Sequence, residues 1–191
     1  MTSVTGVAIR FHHNTCKGEL NSMDKGDKTF FETLSALPAD SFANETVSFR
    51  LIQNEADLAY AVIECRLTEK QKELVNPAGF SIGRAWLDPS NHFPCVICNR
   101  EGRPVGFINL LSWLGGDDSV SWSFYIDEGK QGKGYGRAAA RLAVKVLKAA
   151  FPDKKIKLST EACNTKAQAL YLYLGFQKLE ETDGDDLVFG L

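Results

Sequence analysis

Trp122-Ser123-Phe124-Tyr125-Ile126-Asp127-Glu128-Gly129-Lys130-Gln131-Gly132-Lys133-Gly134-Tyr135-Gly136-Arg137 is the stretch on which the fold of this 191-residue chain turns. It reads as strand, glycine-rich loop and helix start. Aromatic and β-branched residues crowd Ser119 to Ile126, Asp127 and Gly129 end the run, and an Ala/Leu/Val/Lys/Arg pattern follows Gly136. A loop at a helix N-terminus is a ready anion site, because the first N–H groups lack intrahelical partners and carry the positive end of the helix dipole. Gly132, Gly134 and Gly136 let backbone amides approach a phosphate, while Lys130, Lys133 and Arg137 add positive charge. A pyrophosphate is the natural guest; a solvated tight turn is the plainer alternative.

Two phosphate loops fail on the letters. A P-loop needs Lys-Ser or Lys-Thr at its end, where this chain has Arg137-Ala138. A dinucleotide fingerprint needs Gly-x-Gly-x-x-Gly, whereas the spacing here is single-residue throughout and far from the N-terminus.

Outward from the loop, Tyr135 to Phe151 reads as the longest helix, with Ala139, Leu142, Ala143, Val146 and Leu147 on one face and Pro152 as its stop. Lys155 to Thr160 alternates as a strand, Thr165 to Leu174 reads as a helix ended by Gly175, and Phe176 to Glu181 and Leu187 to Leu191 frame a turn at Asp183-Gly184-Asp185. Upstream, Val47 to Leu51 is a strand and Glu55 to Leu67 a helix with Leu58, Ala61, Val62 and Cys65 as its stripe; residues 68 to 87 carry weaker helical signals. His92 to Asn99 and Pro104 to Ser112 form a hairpin pivoting on Gly102, and Gly115-Gly116-Asp117-Asp118 turns the chain into the opening strand. Residues 1–45 are set apart as a poorly defined N-terminal extension, with 46–191 as the domain. Phe30, Phe31, Leu34 and Leu37 suit one short amphipathic helix there; His12 and His13 read as solvent-exposed, and Met23 is an alternative start.

A net charge of -2 argues against nucleic-acid binding. No apolar run reaches membrane-spanning length and no signal-like segment opens the chain, so a cytoplasmic setting is expected. Five cysteines do not suggest a disulfide framework. Cys95 and Cys98 fall in a strand, where residues three apart face opposite ways, so they read as small buried hydrophobes; no metal is implied. Cys163 has no nearby histidine to activate it.

Gln131, Gly134 and Gly136 match the acyl-coenzyme A loop, Gln/Arg-x-x-Gly-x-Gly/Ala. Downstream, Asn164-Thr165-Lys166-Ala167-Gln168-Ala169-Leu170-Tyr171-Leu172-Tyr173-Leu174-Gly175-Phe176 resembles the Asn-x-x-Ala-x-x-Leu-Tyr-x-x-x-Gly-Phe segment of the GNAT superfamily of N-acetyltransferases. The resemblance implies an α+β, GNAT-like fold: a mixed, mostly antiparallel, splayed sheet flanked by helices. It implies acetyl-CoA as cosubstrate, its pyrophosphate on the loop from Gln131 through Gly132, Lys133, Gly134, Tyr135 and Gly136 to Arg137. It further implies a bulged strand before the loop whose backbone at Phe124, Tyr125 and Ile126 bonds the pantetheine arm, a cofactor contact at Asn164, and Tyr171 as general acid. A tyrosine on such a helix is also a common packing residue. The general base stays open among Glu161, Asp127 and Glu128.

Leu67 to Pro77, Ser81 to Ala85, Val105-Gly106-Phe107 and Phe124 to Asp127 look like the diamine and spermidine acetyltransferase branch. That likeness points to a small-molecule amine acceptor such as a polyamine, with Glu69, Glu73 and Asp88 as candidate wall acids, and leaves room for a homodimer. An amino acid, aminoglycoside or protein amine as acceptor, and a non-catalytic acyl-CoA-binding sensor, stay open.

Overall fold

The computed structural model describes residues 28–113 and 117–191. His12, His13, Met23, Gly115 and Gly116 lie outside the described residues. Two alternating strands flank two largely apolar ones in an antiparallel sheet of order β1 (Val47–Leu51), β2 (His92–Asn99), β3 (Pro104–Ser112) and β4 (Val120–Ile126). The near-continuous apolar runs of β2 and β3 are what a sheet centre covered on both faces requires. Gly102, with φ of 75°, turns β2 into β3.

The period of two sorts the strands' side chains into two cores. Cys95 and Ile97 join Phe49, Ile108 and Ile126 on one face, while Val96 and Cys98 join Phe107 and Tyr125 on the other. The two cysteines therefore point apart, as their spacing requires. The first face is covered by α5 (Tyr135–Ala150), which buries the five expected residues and Ala140. It is also covered by α1 (Phe30–Ser35), started by a reciprocal capping box between Thr29 and Glu32. Phe30 stacks on Phe151 at 4.9 Å, and Phe30 and Leu34 are buried in the same core as β1 to β4. Packing thus extends to residue 30, ahead of the boundary expected at 45.

The second face lies against α2 (Glu55–Ala59), a π-helical turn at Tyr60–Glu64, α3 (Glu69–Leu74) and α4 (Ala78–Leu87). Here the expected stripe is corrected. Leu58 and Val62 are 41% and 49% exposed, while Asp57, Tyr60, Ala61 and Cys65 face inward. The wide turn rotates the face, and Asp57 goes inside because the Arg50 guanidinium meets it with two bonds, Nε to Oδ2 at 2.9 Å and an Nη to Oδ1 at 2.7 Å.

A second antiparallel sheet has the order β5 (Lys157–Thr160), β7 (Asp186–Gly190), β6 (Gln177–Asp183). It carries α6 (Thr165–Tyr173). Lys157 is buried, its ammonium 2.5 Å from both Asp117 and Glu181. The sheets meet at a parallel bridge between Val120 and Ile156, with the Val120 N–H donating to the Lys155 carbonyl at 2.9 Å. Beyond it β4 and β5 are not paired among the described residues. The bulge expected in β4 is absent: β3 and β4 pair in step from Gly106 opposite Ile126 to Ser112 opposite Val120. The splay comes from β4 leaving β5, not from an extra residue in β4. No described helix is long and apolar enough to cross a membrane.

Candidate active site

The gap between β4 and β5 has a backbone edge that can be read from two bonds. The Asp127 N–H donates to the Val105 carbonyl, on the β3 side, and the Val120 N–H to Lys155, on the β5 side. Backbone groups alternate sides along a strand. Trp122, Phe124 and Ile126 therefore turn their amides and carbonyls toward the gap, and Tyr125 turns its own toward β3. Of the three residues expected to offer backbone to a pantetheine, Phe124 and Ile126 face the gap and Tyr125 does not. The Tyr125 side chain lies on the second face, where its hydroxyl accepts from the Ala78 N–H at 3.0 Å.

At the end of β4 the loop turns onto α5. Gly132 and Gly134 have φ of 76° and 83°, the left-handed region that a side chain disfavours. Gly134 is the N-cap and supplies no side-chain acceptor, so it leaves the first-turn amides of Tyr135, Gly136 and Arg137 uncapped by a side chain. Gly136 differs: a Cβ there would lie 3.7 Å from Ile126 Cγ1, an ordinary contact. Tyr135 packs on the core, and Lys133 is exposed. Gln131 folds back, its amide donating to the Ile126 carbonyl at 3.0 Å and to Gln71 Oε1 at 2.8 Å, which pins the loop to α3. Arg137 lies over the Tyr173 ring, 4.7 Å from its centroid, and Arg141 bonds the Tyr173 hydroxyl. Neither Gln71 nor Tyr173 stood out in the sequence, since their partners are distant in the chain.

The donor set fits a diphosphate: uncapped helix amides, two left-handed glycines that bring the backbone close, and exposed cations at the rim. Among the described residues no cluster of His, Cys, Asp and Glu could hold a metal ion.

Across the gap, Tyr171 on α6 packs edge-on to Phe189 at 5.5 Å and tilted to Phe176 at 6.0 Å. Phe176 in turn meets Trp122 of β4 edge-on at 5.7 Å. These rings connect Tyr171 to the strand that forms the gap's wall. Burial, and then the Asp186 charge, push the Tyr171 phenol up to about 12, so it holds its proton at neutral pH. Asn164 is the N-cap of α6, its Oδ1 accepting from the Ala167 N–H at 3.3 Å. That cap uses its oxygen and leaves its amide nitrogen as the group a cofactor could engage.

The three candidate bases separate. Glu161 and Glu128 are exposed, and Asp127 is half-buried, with Oδ1 accepting from the Gly129 N–H at 2.8 Å. Asp127 also stands near Tyr60 and Cys65, and its charge adds to the burial that pushes the Cys65 thiol up to about 12. The exposed Cys163 thiol donates to Glu161 at 3.4 Å and is raised by that neighbour, so it is a poor nucleophile. Glu69, Glu73 and Asp88 are absent from the lining of the cavity between the π-turn, α3 and α4. Glu69 pairs with Lys72 at 2.6 Å, Glu73 is exposed, and Asp88 accepts from the Asn91 amide at 3.2 Å. That cavity, of about 380 Å³, has Tyr125 in its lining.

A strand that parts from its neighbour beside a glycine loop at a helix N-terminus is the arrangement that the resemblance to acyl-CoA-dependent N-acetyltransferases implied. Residues 57–176, more than half of the chain, match the model of the Acetyltransferase (GNAT) family. The chain belongs to that family. It is similar to the mycothiol acetyltransferase of Beutenbergia cavernae, 34% identical over 97 residues, covering 49% of this chain and 31% of that relative. The match thus spans about a third of the length of that curated relative. Among solved structures it resembles an acetyltransferase of Agrobacterium tumefaciens (TM-score 0.59, 17% identity, 78% of this chain and 92% of the other). It also resembles Mycobacterium smegmatis RimJ in complex with CoA-disulfide (TM-score 0.58, 20% identity, 76% and 81%). At these identities the structural likeness speaks for the fold.

Proposed function

We propose that this chain transfers the acetyl group of acetyl-CoA to the primary amine of a small molecule, with Tyr171 as general acid. The observation that carries the reading is the gap between β4 and β5, opening beside the uncapped start of α5, with Tyr171 joined to β4 through Phe176 and Trp122. The amides of Tyr135, Gly136 and Arg137 would hold the diphosphate, and the gap-facing backbone of Phe124 and Ile126 would align the pantetheine arm as a further strand. Bound there, acetyl-CoA supplies an acetyl thioester activated toward amines.

The residues' work is then orientation and proton handling. Holding amine and thioester together removes a barrier worth up to roughly 7 to 11 kcal/mol in the best cases. Tyr171, neutral and linked to β4 through Phe176 and Trp122, would keep a proton for the departing thiolate. Asp127 is the candidate base whose charge reaches a residue lining the cavity, Cys65. A polyamine is the acceptor that the sequence resemblance suggests. Its candidate wall acids are engaged or exposed, so the reading here stops at a small primary amine.

The test is thiol release from acetyl-CoA against a panel of monoamines, polyamines, amino acids, aminoglycosides and short peptides, run beside Tyr171→Phe. Saturable release with a small amine, lost in the variant, supports the proposal. Stimulation by peptides alone points to a protein amine, and tight cofactor binding without stimulated release points to a sensor.

A further inference from the structure

We infer that the 380 Å³ cavity on the reverse face of β4 receives the acceptor, and that it selects a monoamine with an apolar body over a polycation; the inference rests on the acetyl-transfer reading above. Tyr125 is the link. It sits in the strand between Phe124 and Ile126, whose backbones face the gap, and its ring lines the cavity. The cavity therefore lies against the same strand whose backbone edge faces the gap. The bond between Gln131 and Gln71 ties α3, which borders the cavity, to the phosphate loop.

The lining decides the substrate class. Ala61, Val62, Leu67, Val75 and Ala78 supply hydrocarbon, and the volume suits a small molecule. Val62 lines the cavity yet is 49% exposed, an apolar surface that a hydrocarbon ligand would cover. Among the ionisable residues in the lining, Cys65 and Tyr125 stay neutral near pH 7, each pushed up to about 12 by burial. The third, Lys72, is a cation, and its partner Glu69 is 90% exposed. A polyamine entering here would strip water from a second ammonium against apolar walls and bring it toward Lys72. Burying an unpaired charge in this way is costly. A single amine meets no such cost if its nitrogen stays at the Cys65 end, where Asp127 and the buried Tyr60 hydroxyl stand nearby.

The experiment compares phenethylamine with spermidine as acceptors for the full chain and for Val62→Glu, a half-exposed position where a carboxylate is compatible with folding. The expected result is a kcat/KM for phenethylamine at least about tenfold above that for spermidine, the size of a hydrocarbon-pocket preference. Val62→Glu should cut that ratio at least about tenfold, through KM for phenethylamine with kcat held. A preference for spermidine, or a ratio that Val62→Glu leaves unchanged, overturns the inference while acetyl transfer stands.

If neither amine is acetylated, calorimetric titration of both amines into the CoA-loaded protein decides. Phenethylamine binding that is tighter than spermidine binding and is lost in Val62→Glu upholds the cavity assignment while the transfer reading falls. Absent or variant-insensitive phenethylamine binding, or tighter spermidine binding, overturns the assignment.

Discussion

Val120 and Ile156 meet in a parallel bridge where β4 enters contact with β5, and past that point the two strands are unpaired among the described residues. The consequence is a polar backbone edge, at Trp122, Phe124 and the Ile126 amide, turned toward a ligand that can act as a strand, the Ile126 carbonyl already accepting from Gln131.

Tyr171→Phe removes one oxygen from a packed ring and should leave the fold intact. We expect kcat to fall at least about a hundredfold, the usual weight of a general acid, while Kd for CoA changes less than about threefold. With the phenol pushed up to about 12, the wild-type rate should show no decline assignable to Tyr171 between pH 7 and 10. Steady-state kinetics across pH, beside direct CoA titration, checks both. An unchanged kcat in the variant would remove Tyr171 from the mechanism.

The glycines of the loop should separate by backbone geometry. Gly134→Ala forces a side chain into φ of 83°, costing about 1 to 2 kcal/mol and displacing the amides that would hold the diphosphate, so stability and CoA affinity should fall together. Gly136→Ala lies inside α5 with ordinary contacts, so its Tm should rise slightly and CoA affinity should persist. Thermal melts with calorimetry distinguish the two; equal losses in both variants would contradict the assignment.

Gly106 is demanded by space. A Cβ there would lie 2.5 Å from the Tyr125 carbonyl oxygen and 3.2 Å from Ile126 Cα, both backbone atoms. Gly106→Ala should lower stability by about 1 to 3 kcal/mol by denaturant melts and push β4 away from β3 beside the gap. A neutral substitution would contradict this packing.

Two buried groups set the pH response. Asp57 is held below the usual carboxylate range chiefly by its bonds to Arg50, so its stabilisation is complete above the unfolded value near 3.8 and is lost as the pH falls through the lower folded value. His92, buried beside Asn109, is lowered from 6.5 by burial and then by Arg84; folding therefore weakens as the pH falls below 6.5 toward its folded value. Urea melts should show a shallow loss from pH 6.5 downward that His92→Gln removes. Below pH 4 there should be a further loss that Asp57→Asn lacks, its stability being lower at neutral pH instead. Parallel profiles for wild type and both variants would contradict these assignments.

Much of the fold was legible because it is written in local pattern: the apolar face of α5, the hairpin at Gly102, and the loop between strand and helix. The inward face of α2 was not, because a π-turn shifts the phase that a 3.6-residue period assumes and because Asp57 enters the core only through its ion pair with Arg50. The geometry of the candidate site was legible where backbone conformation dictates the residue, as at Gly132 and Gly134, whose left-handed φ only glycine adopts freely. At Tyr125 the sequence left the direction of the backbone open, since strand parity relative to β3 depends on register. The cavity is built from three short helical segments and one strand, and its apolar lining could not be seen before those segments were brought together.

The most direct test of the central claim is mass-spectrometric detection of N-acetylated product from acetyl-CoA and the amine panel, with Tyr171→Phe alongside. The account predicts one added acetyl group on the amine nitrogen of a small primary amine, accumulating in step with free coenzyme A and nearly absent in the variant. Coenzyme A release without acetylated amine, or product formed equally by the variant, would contradict it.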